Sequence, residues 1–107
     1  MLAKKHRINK KTIKDVLKKG KGYFSEHLSA KILFTPEKGK KFAFVISSKD
    51  VKGAVQRNTL KRRARHIIKE NLPNIKEGTQ AVFFLKKGVD KLTFAEMKKE
   101  INDIFNF

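Results

Sequence analysis

The sequence contains no cysteine and no long apolar run, and only 10 of its 107 residues are acidic. Without cysteine the chain forms neither a disulfide nor a thiolate metal site, which fits a cytoplasmic protein. No stretch has the length and apolarity that a membrane-spanning helix requires. The basic residues near the start of the chain are not followed by the apolar segment of a secretory signal. The sequence therefore predicts a cytoplasmic protein without a membrane partner.

The few acidic residues are too scattered for the active site of a hydrolase, which needs a nucleophile and base or carboxylates that hold a metal. One group lies on the predicted last helix, opposite its apolar stripe, and consists of Glu96, Glu100 and Asp103. A charged face in that position is usually solvated. No glycine-rich segment has the spacing of a phosphate-binding loop. The sequence thus predicts no catalytic residue and no tightly bound metal in this chain.

Positive charge is abundant and unevenly distributed. The chain has 27 lysines and arginines, giving a formal net charge of +17. Residues 1–70 hold 21 of these cations and 5 acids, whereas residues 71–107 hold 6 cations and 5 acids. Self-repulsion of this size disfavours a compact state unless a polyanion neutralises it. Nucleic acid is the natural partner, because each neutralised phosphate releases condensed counterions.

The basic residues concentrate on one predicted helix. Seven of the seventeen residues from Lys49 to Arg65 are lysine or arginine, and a helix is predicted from about Arg57 to Asn71. At about 100° per residue, one arc of this helix contains Leu60, Ala64, Ile67, Ile68 and Asn71. A second arc contains Asn58, Lys61, Arg62, Arg65 and Lys69, while Arg63 projects away from it toward the margin of the sheet. A fixed array of cations suits a polyanion of defined shape.

The remaining periodicities predict a single-domain α+β protein with a basic arm over residues 1–9. Helices are expected over 10–19 and 93–105, strands over 28–35, 41–47 and 79–86, and a further short strand near Tyr23. The order is α-β-β-(β)-α-β-α. Strand 41–47 is apolar on both sides and is therefore expected to be central. Thr93 and Glu96 have the spacing of a capping box at the start of the last helix.

Aromatic residues divide into a predicted core and two candidates for stacking on bases. The core set, chosen by its spacing in the predicted elements, comprises Phe34, Phe42, Phe44, Phe83, Phe84, Phe94 and Phe105. Tyr23 and Phe24 lie in a segment flanked by glycine and lysine. These two are therefore the better candidates for exposed rings that stack on bases.

The central motif resembles the signature of the bacterial ribonuclease P protein subunit. Ser48-Lys49 ends a strand, and after a short link comes Ala-Val-Gln-Arg-Asn-Thr-Leu-Lys-Arg-Arg-Ala-Arg at positions 54–65. Arg7-Ile8 with a small helix, and Leu92-Thr93-Phe94 with a last helix, match the two ends of that family. The motif departs from the family pattern at Thr59, where arginine is usual.

The resemblance implies a protein that assists a catalytic RNA in cutting the 5′ leader from precursor tRNA. It implies a left-handed β-α-β crossover around the basic helix, similar to the second domain of a small-subunit ribosomal protein. The enzyme would be a ribonucleoprotein endoribonuclease, with the chemistry done by the RNA and Mg²⁺. Its partners would be the RNA subunit and precursor tRNA, with no protein partner required.

Two sets of binding residues follow from the resemblance and the basic arc. The RNA-subunit set is Ser48, Lys49, Arg57, Asn58, Lys61, Arg62, Arg65 and Lys69. The leader set, in a cleft between the first helix and the sheet, is Ile13, Lys14, Leu17, Lys18, Tyr23, Phe24 and Lys31. Ile13 and Leu17 stand where the family usually has aromatic residues, so Tyr23 or Phe24 would have to supply the stacking ring.

Three other readings of the sequence share some of these features. A small basic ribosomal protein, or another protein that binds structured RNA, has the same charge but predicts no leader cleft. A protein-only nuclease requires a cluster of acids, which the sequence does not show. A DNA-binding protein could place the basic helix in a major groove, but no helix-turn-helix partner precedes that helix.

Overall fold

The computed structural model describes residues 6–8 and 10–105, and over these it contains three α-helices and four β-strands. In chain order they are α1 (Lys10–Lys19), β1 (Lys21–Phe24), β2 (Leu28–Phe34), β3 (Lys41–Ile46), α2 (Ala54–Asn71), β4 (Thr79–Leu85) and α3 (Phe94–Phe105). Short 3-10 turns follow α2 at Leu72–Asn74 and β4 at Val89–Lys91. The predicted α+β element order is confirmed, and the short strand near Tyr23 is β1.

The four strands form one mixed sheet in the order β1-β2-β4-β3. β1 with β2 and β2 with β4 are antiparallel, whereas β3 and β4 are parallel and are joined through α2. β3 is therefore an edge strand among the described residues, and the prediction that it is central was wrong. The second side of β3, which carries Ala43 and Val45, lies on a partly open face of the sheet, and Val45 is 41% exposed. Apolar residues on both sides of the strand therefore did not mean that both sides are buried. The inner strands are β2 and β4, and every residue of β4 except Phe84 is buried.

Residues 6–8 cover part of the β3 edge. The backbone amide of Ile8 donates to the carbonyl of Phe42 at 3.2 Å, and Arg7 forms a parallel bridge with the same residue. The imidazole Nδ1 of His6 lies 2.8 Å from the carbonyl oxygen of Lys40. The arm predicted over residues 1–9 otherwise lies outside the described residues. Pairing of this kind satisfies edge groups that would otherwise face solvent.

The main core lies between one face of the sheet and the helices α2 and α3. Phe44 and Phe83, on neighbouring strands, stack with ring centroids 5.4 Å apart. The predicted apolar arc of α2 faces this core, and its buried members are Leu60, Ala64, Ile67 and Ile68. From α3 the buried residues are Met97, Ile101 and Ile104. The 3.6-residue periodicity of both helices thus determined which side packs on the sheet.

α1 packs alone on the opposite face, against β2 and β4. Its Val16 is fully buried, as is Val82 of β4, and neither belongs to the main core. Leu17, the next residue, is 40% exposed. One short helix cannot cover a four-stranded sheet, so part of this face remains open to solvent.

Four of the seven phenylalanines predicted to form the core are not fully buried. Phe34 is 54% exposed and Phe94 is 39% exposed, while Phe84 is half-buried on the α1 face. Strand and helix periodicity gives the direction of a side chain but not where the covering layer ends. The ammonium of Lys76 lies 5.8 Å from the centroid of the Phe34 ring. Phe105, the fourth, is half-buried and packs at the edge of the core, whereas the predictions for Phe42, Phe44 and Phe83 are confirmed.

α3 begins with the predicted capping box. The amide of Thr93 donates to Glu96 Oε1 at 2.9 Å, and the amide of Glu96 donates to Thr93 Oγ1 at 3.1 Å. The hydrogen bond from the Thr93 backbone holds the pKa of Glu96 below its usual value. The reciprocal bonds fix the first turn of α3, where Phe94 lies.

Glu100 joins α3 to the turn between β1 and β2. Its Oε1 accepts hydrogen bonds from Ser25 Oγ at 2.6 Å and from the amide of His27 at 2.7 Å, and its Oε2 lies 2.8 Å from His27 Nδ1. The side chain is only 14% exposed. The expectation that this carboxylate is merely solvated was therefore wrong for Glu100. The sequence pattern could not reveal its partners, because they are 73 to 75 residues away along the chain.

We expect Glu100→Ala to lower the free energy of unfolding by about 1–3 kcal/mol, since it leaves the Ser25 and His27 donors without their acceptor. Burial acts to raise the pKa of Glu100, but the hydrogen bonds from Ser25 and His27 outweigh it and lower the pKa overall. The stabilisation is therefore present above the unfolded pKa of about 4.3 and is lost as pH falls through the lower folded pKa. Denaturant unfolding of both proteins between neutral and acidic pH measures this difference.

Asp103→Ala is the matched control, because Asp103 is an exposed acid on the same helix. It is expected to change the free energy of unfolding by less than about 0.5 kcal/mol. A difference between wild type and Glu100→Ala that stays constant down to pH 2 would contradict a role for the ionised carboxylate.

Candidate nucleic-acid interface

The side of α2 that faces away from the core carries the predicted basic arc. Asn58, Arg62 and Lys69 are exposed, and Lys61 and Arg65 are half-buried at the flank. The opposite arc of the helix is buried against the sheet, so these five side chains are held on one rigid support. Because α2 is packed against the sheet, the charged side chains on its outer side keep fixed positions relative to one another.

These cations have no carboxylate partner within the part of the chain that the structure describes. Among the side chains that the structure describes, no lysine or arginine has a carboxylate oxygen within 4.0 Å. The two basic side chains that contact a carboxylate there are histidines, His27 with Glu100 and His66 with Glu70. The positive potential of the surface is therefore available to an external polyanion.

Arg65 and Arg57 are both restrained by protein contacts. The guanidinium of Arg65 lies 5.9 Å from the centroid of the Phe44 ring, a cation–π arrangement that fixes its position beside β3. Nη1 of Arg57 donates to the carbonyls of Val51 and Lys52 at 2.7 and 2.8 Å. Arg57, which the motif suggested as an RNA ligand, thus holds the loop before α2 with one of its nitrogens.

That loop presents the other end of the predicted RNA-subunit set. The amides of Asp50 and Val51 both donate to the carbonyl of Ser47, at 3.0 and 3.1 Å, and form a tight turn. Val51 is buried, whereas Ser48 and Lys49 are exposed. The buried valine and the Arg57 bonds anchor the loop, so its exposed residues project beside the first turn of α2.

Thr59, the departure from the family motif, turns its hydroxyl to its own helix. Thr59 Oγ1 donates to the carbonyl of Val55 at 3.0 Å, one turn earlier. The bond satisfies the hydroxyl locally, as is common for threonine within helices. Thr59 therefore adds no cation and no directed donor to the face of α2.

A shallow depression of about 540 Å³ lies on the outer side of α2 beside the start of α3. Its lining residues are Asn58, Arg62, Arg63, Arg65, His66 and Phe94. Arg63 was expected near the margin of the sheet, but it is exposed and lines this depression with Arg62. The helical projection alone could not show that α3 begins beside this flank of α2.

The face of the sheet that α1 leaves open forms a second surface. Strand register places Phe24, Ser29, Phe84 and Val45 in one row across all four strands. Phe24 is 79% exposed, and Val45 is 41% exposed. Sequence reasoning missed Ser29, Phe84 and Val45 as members of this surface, since only the strand order brings them together. The available signal was the alternation along β3, which directs Val45 to the opposite face from Phe44 and Ile46.

Six of the seven predicted leader residues belong to α1 or to this face. Lys14, Leu17 and Lys18 are exposed, and Ile13 and Lys31 are half-buried. The Phe24 ring lies over Gly22, so that a Cβ on that glycine would be 3.3 Å from Phe24 Cε2. Tyr23 is the exception, because strand alternation directs it to the other face, where it packs against the main core. Tyr23 therefore lies apart from the other predicted leader residues, and of the two predicted stacking rings Phe24 is the one on the open face.

Comparison with known proteins is decisive for the family. The model of the family described as Ribonuclease P matches residues 2–106. The chain belongs to the ribonuclease P protein family. A curated ribonuclease P protein component from Finegoldia magna is 29% identical over 86 residues, which are 80% of this chain and 74% of that protein. One from Streptococcus pneumoniae is 43% identical over 54 residues, 50% of this chain and 44% of that protein.

Solved structures of ribonuclease P proteins share this fold. The protein from Staphylococcus aureus superposes with a TM-score of 0.85 at 16% identity, covering 94% of this chain and 93% of that one. The protein from Thermotoga maritima gives a TM-score of 0.83 at 20% identity, covering 94% and 96%. The α+β fold of one mixed sheet and three helices is thus that of ribonuclease P proteins.

Two further properties concern the described part of this ribonuclease P family member. Over residues 6–8 and 10–105, no helix combines the length and apolarity needed to cross a membrane. Over the same residues, no three histidine or acidic side chains are grouped so that they could hold a metal ion.

Proposed function

We propose that this chain is the protein subunit of ribonuclease P, which binds the catalytic RNA and the 5′ leader of precursor tRNA. The observation that carries the proposal is the cation array on α2, which has no carboxylate partner among the described residues. Its role is electrostatic, since two polyanions, the RNA subunit and the precursor, must approach each other. Cations between them lower that repulsion.

The α2 face is assigned to the RNA subunit. Lys61, Arg62 and Arg65 supply charge, and Asn58 supplies an amide that donates and accepts hydrogen bonds. Arg57 acts on this contact by positioning the loop that carries Ser48 and Lys49, as its bonds to Val51 and Lys52 indicate. A phosphate backbone following α2 would meet cations from both the loop and the helix.

The open face beside α1 is assigned to the leader. A single strand needs cations along its backbone and apolar surface beneath its bases. Lys14, Lys18 and Lys31 supply the cations, and the exposed ring of Phe24 supplies a stacking surface. Phe84 of β4 and Val45 of β3 add apolar surface on the same face of the sheet.

A left-handed β-α-β crossover around α2, implied by the family, remains a prediction.

Hydrolysis of the phosphodiester bond is assigned to the RNA subunit with Mg²⁺. This chain would raise the affinity for the precursor and lower the Mg²⁺ concentration at which the RNA works, because its cations replace part of the counterion atmosphere. The purified chain alone is expected to leave precursor tRNA intact. With the RNA subunit it is expected to restore cleavage at a Mg²⁺ concentration where the RNA alone is nearly inactive.

The measurement is 5′-leader release from labelled precursor tRNA by the chain, by the RNA, and by both together. Cleavage by the chain without RNA, if abolished by changing one of its acidic residues, would replace this proposal with that of a protein nuclease. No stimulation of the RNA at low Mg²⁺ would equally contradict the proposal.

For the leader contact, Phe24→Ala is expected to weaken precursor tRNA binding to the holoenzyme about fivefold, which corresponds to the low end of base–aromatic stacking, about 1 kcal/mol. Binding of mature tRNA, which lacks the leader, should stay unchanged. Phe34→Ala is the matched control, since Phe34 is also an exposed phenylalanine but lies on the other face of the sheet. Equal losses for precursor and mature tRNA would rule out Phe24 as a leader contact.

A further inference from the structure

The first residue of α3 is a phenylalanine that the core leaves partly uncovered. Phe94 is 39% exposed, although it begins the apolar stripe of its helix. Its ring centroid lies 5.8 Å from that of His66, with 53° between the ring planes. The capping box of Thr93 and Glu96 holds the backbone on either side of it. The ring is thus fixed in place while part of it stays open to the depression.

Two unneutralised guanidinium groups line the same depression. Arg62 and Arg63 are both exposed, and among the described side chains neither has a carboxylate oxygen within 4.0 Å. The nearby acids are already engaged. Glu70 Oε1 lies 2.8 Å from His66 Nε2, and Glu96 accepts the amide of Thr93 at 2.9 Å. An external anion would therefore find free cations beside an accessible aromatic ring.

An aromatic ring next to paired cations suits a nucleotide, which has a flat base and a phosphate within one unit. In a duplex the faces of each base are covered by its neighbours, so a side chain can stack only on a base that has left the stack. Arginine side chains can also pack on base planes. The combination favours an unpaired nucleotide over a paired stretch of RNA.

We propose that this depression binds one unpaired nucleotide of the ribonuclease P RNA, with its base against Phe94 and its phosphate at Arg62 or Arg63. The proposal rests on the proposed function, because it takes the RNA subunit as the partner of α2. It adds to an electrostatic contact one that depends on the local structure of the RNA.

The test measures equilibrium binding of the RNA subunit at several salt concentrations. Phe94→Leu is expected to weaken binding about fivefold without changing the slope of log K against log salt, since no cation is lost. Phe94→Tyr keeps the aromatic face and should bind like wild type. Arg63→Ala should instead reduce the slope by about 1. A fully paired RNA hairpin, as a second ligand, should bind Phe94→Leu and wild type equally.

Phe34→Leu controls for the loss of an exposed phenylalanine elsewhere and should not alter binding of the RNA subunit. Thermal unfolding of each variant checks that α3 stays docked, and Phe94→Met replaces Phe94→Leu if leucine destabilises the fold. The proposal is wrong if the leucine and methionine variants bind the RNA subunit as tightly as the tyrosine variant. It is also wrong if they lose the same factor on the paired hairpin.

Failure of this proposal and failure of the proposed function give different results. If wild-type binding of the RNA subunit is steeply salt-dependent but the Phe94 variants bind it as tightly as wild type, the nucleotide site is wrong and the α2 interface stands. If wild-type binding of the RNA subunit does not depend on salt, the proposed function fails and this site fails with it.

Discussion

Replacing Lys61, Arg62 and Arg65 together by alanine is expected to remove most of the salt dependence of RNA-subunit binding. If the wild-type surface neutralises on the order of five phosphates, log K falls against log salt with a slope of roughly −4. Binding should then weaken about 250-fold between 50 and 200 mM salt. Without three of these cations about two phosphate contacts remain, so the slope should be about −1.6, because each contact contributes about 0.8 of a unit.

The matched control removes the same charge from another part of the chain. Lys87, Lys91 and Lys99 are exposed and lie outside α2 and α1. Their triple alanine variant has the same net charge as the α2 variant, so a difference between the two isolates the contribution of position. Filter binding at constant Mg²⁺, over a series of monovalent salt concentrations, gives both slopes. Equal slopes would mean that net charge, and not the α2 array, governs assembly.

The second large effect concerns stability. Gly78→Ala is expected to lower the free energy of unfolding by roughly 3 kcal/mol or more, which would place it among the severe substitutions. Gly78 has φ +86°, and a Cβ there would overlap the carbonyl oxygen of Thr35. Its own carbonyl accepts the amide of Thr35 at 2.9 Å, and its amide donates to Gly39 at 2.9 Å. The clash would therefore push Gly78, which precedes β4, away from Thr35 and Gly39, and would weaken both hydrogen bonds.

Gly39→Ala is the control, because Gly39 also has positive φ, +105°, but a Cβ there meets no atom within 4 Å. It should cost only the conformational penalty of about 1–2 kcal/mol. Urea unfolding of the three proteins under identical conditions compares the two positions. If both variants lose the same stability, the backbone contact at Gly78 has no special cost.

Local patterns in the sequence determined the elements and the charged face. The amphipathic arcs of α2 and α3 follow from the spacing of a few residues, and so does the capping box of Thr93 and Glu96. The cations of α2 could be assigned to one arc because a helix fixes the angle between successive residues. The family could be recognised for a related reason, since its motif is contiguous.

Tertiary structure alone decided how these elements meet. β3 lies at the edge of the sheet because β4 lies between β3 and β2. The periodicity of a single strand does not indicate which strands pair with it. Alternation separates Tyr23 from Phe24, but only the docking of α1 shows which of them borders the open face. The partners of Glu100 and the exposure of Phe94 likewise depend on contacts between distant segments.

The division has one physical reason. Helix faces, strand alternation and caps arise from interactions within a few residues, so the sequence determines them directly. Strand order, the extent of a covering layer and the partner of a polar side chain arise from packing that brings together residues far apart in the chain. The basic face of α2 belongs to the first class. The row from Phe24 to Val45 and the depression at Phe94 belong to the second.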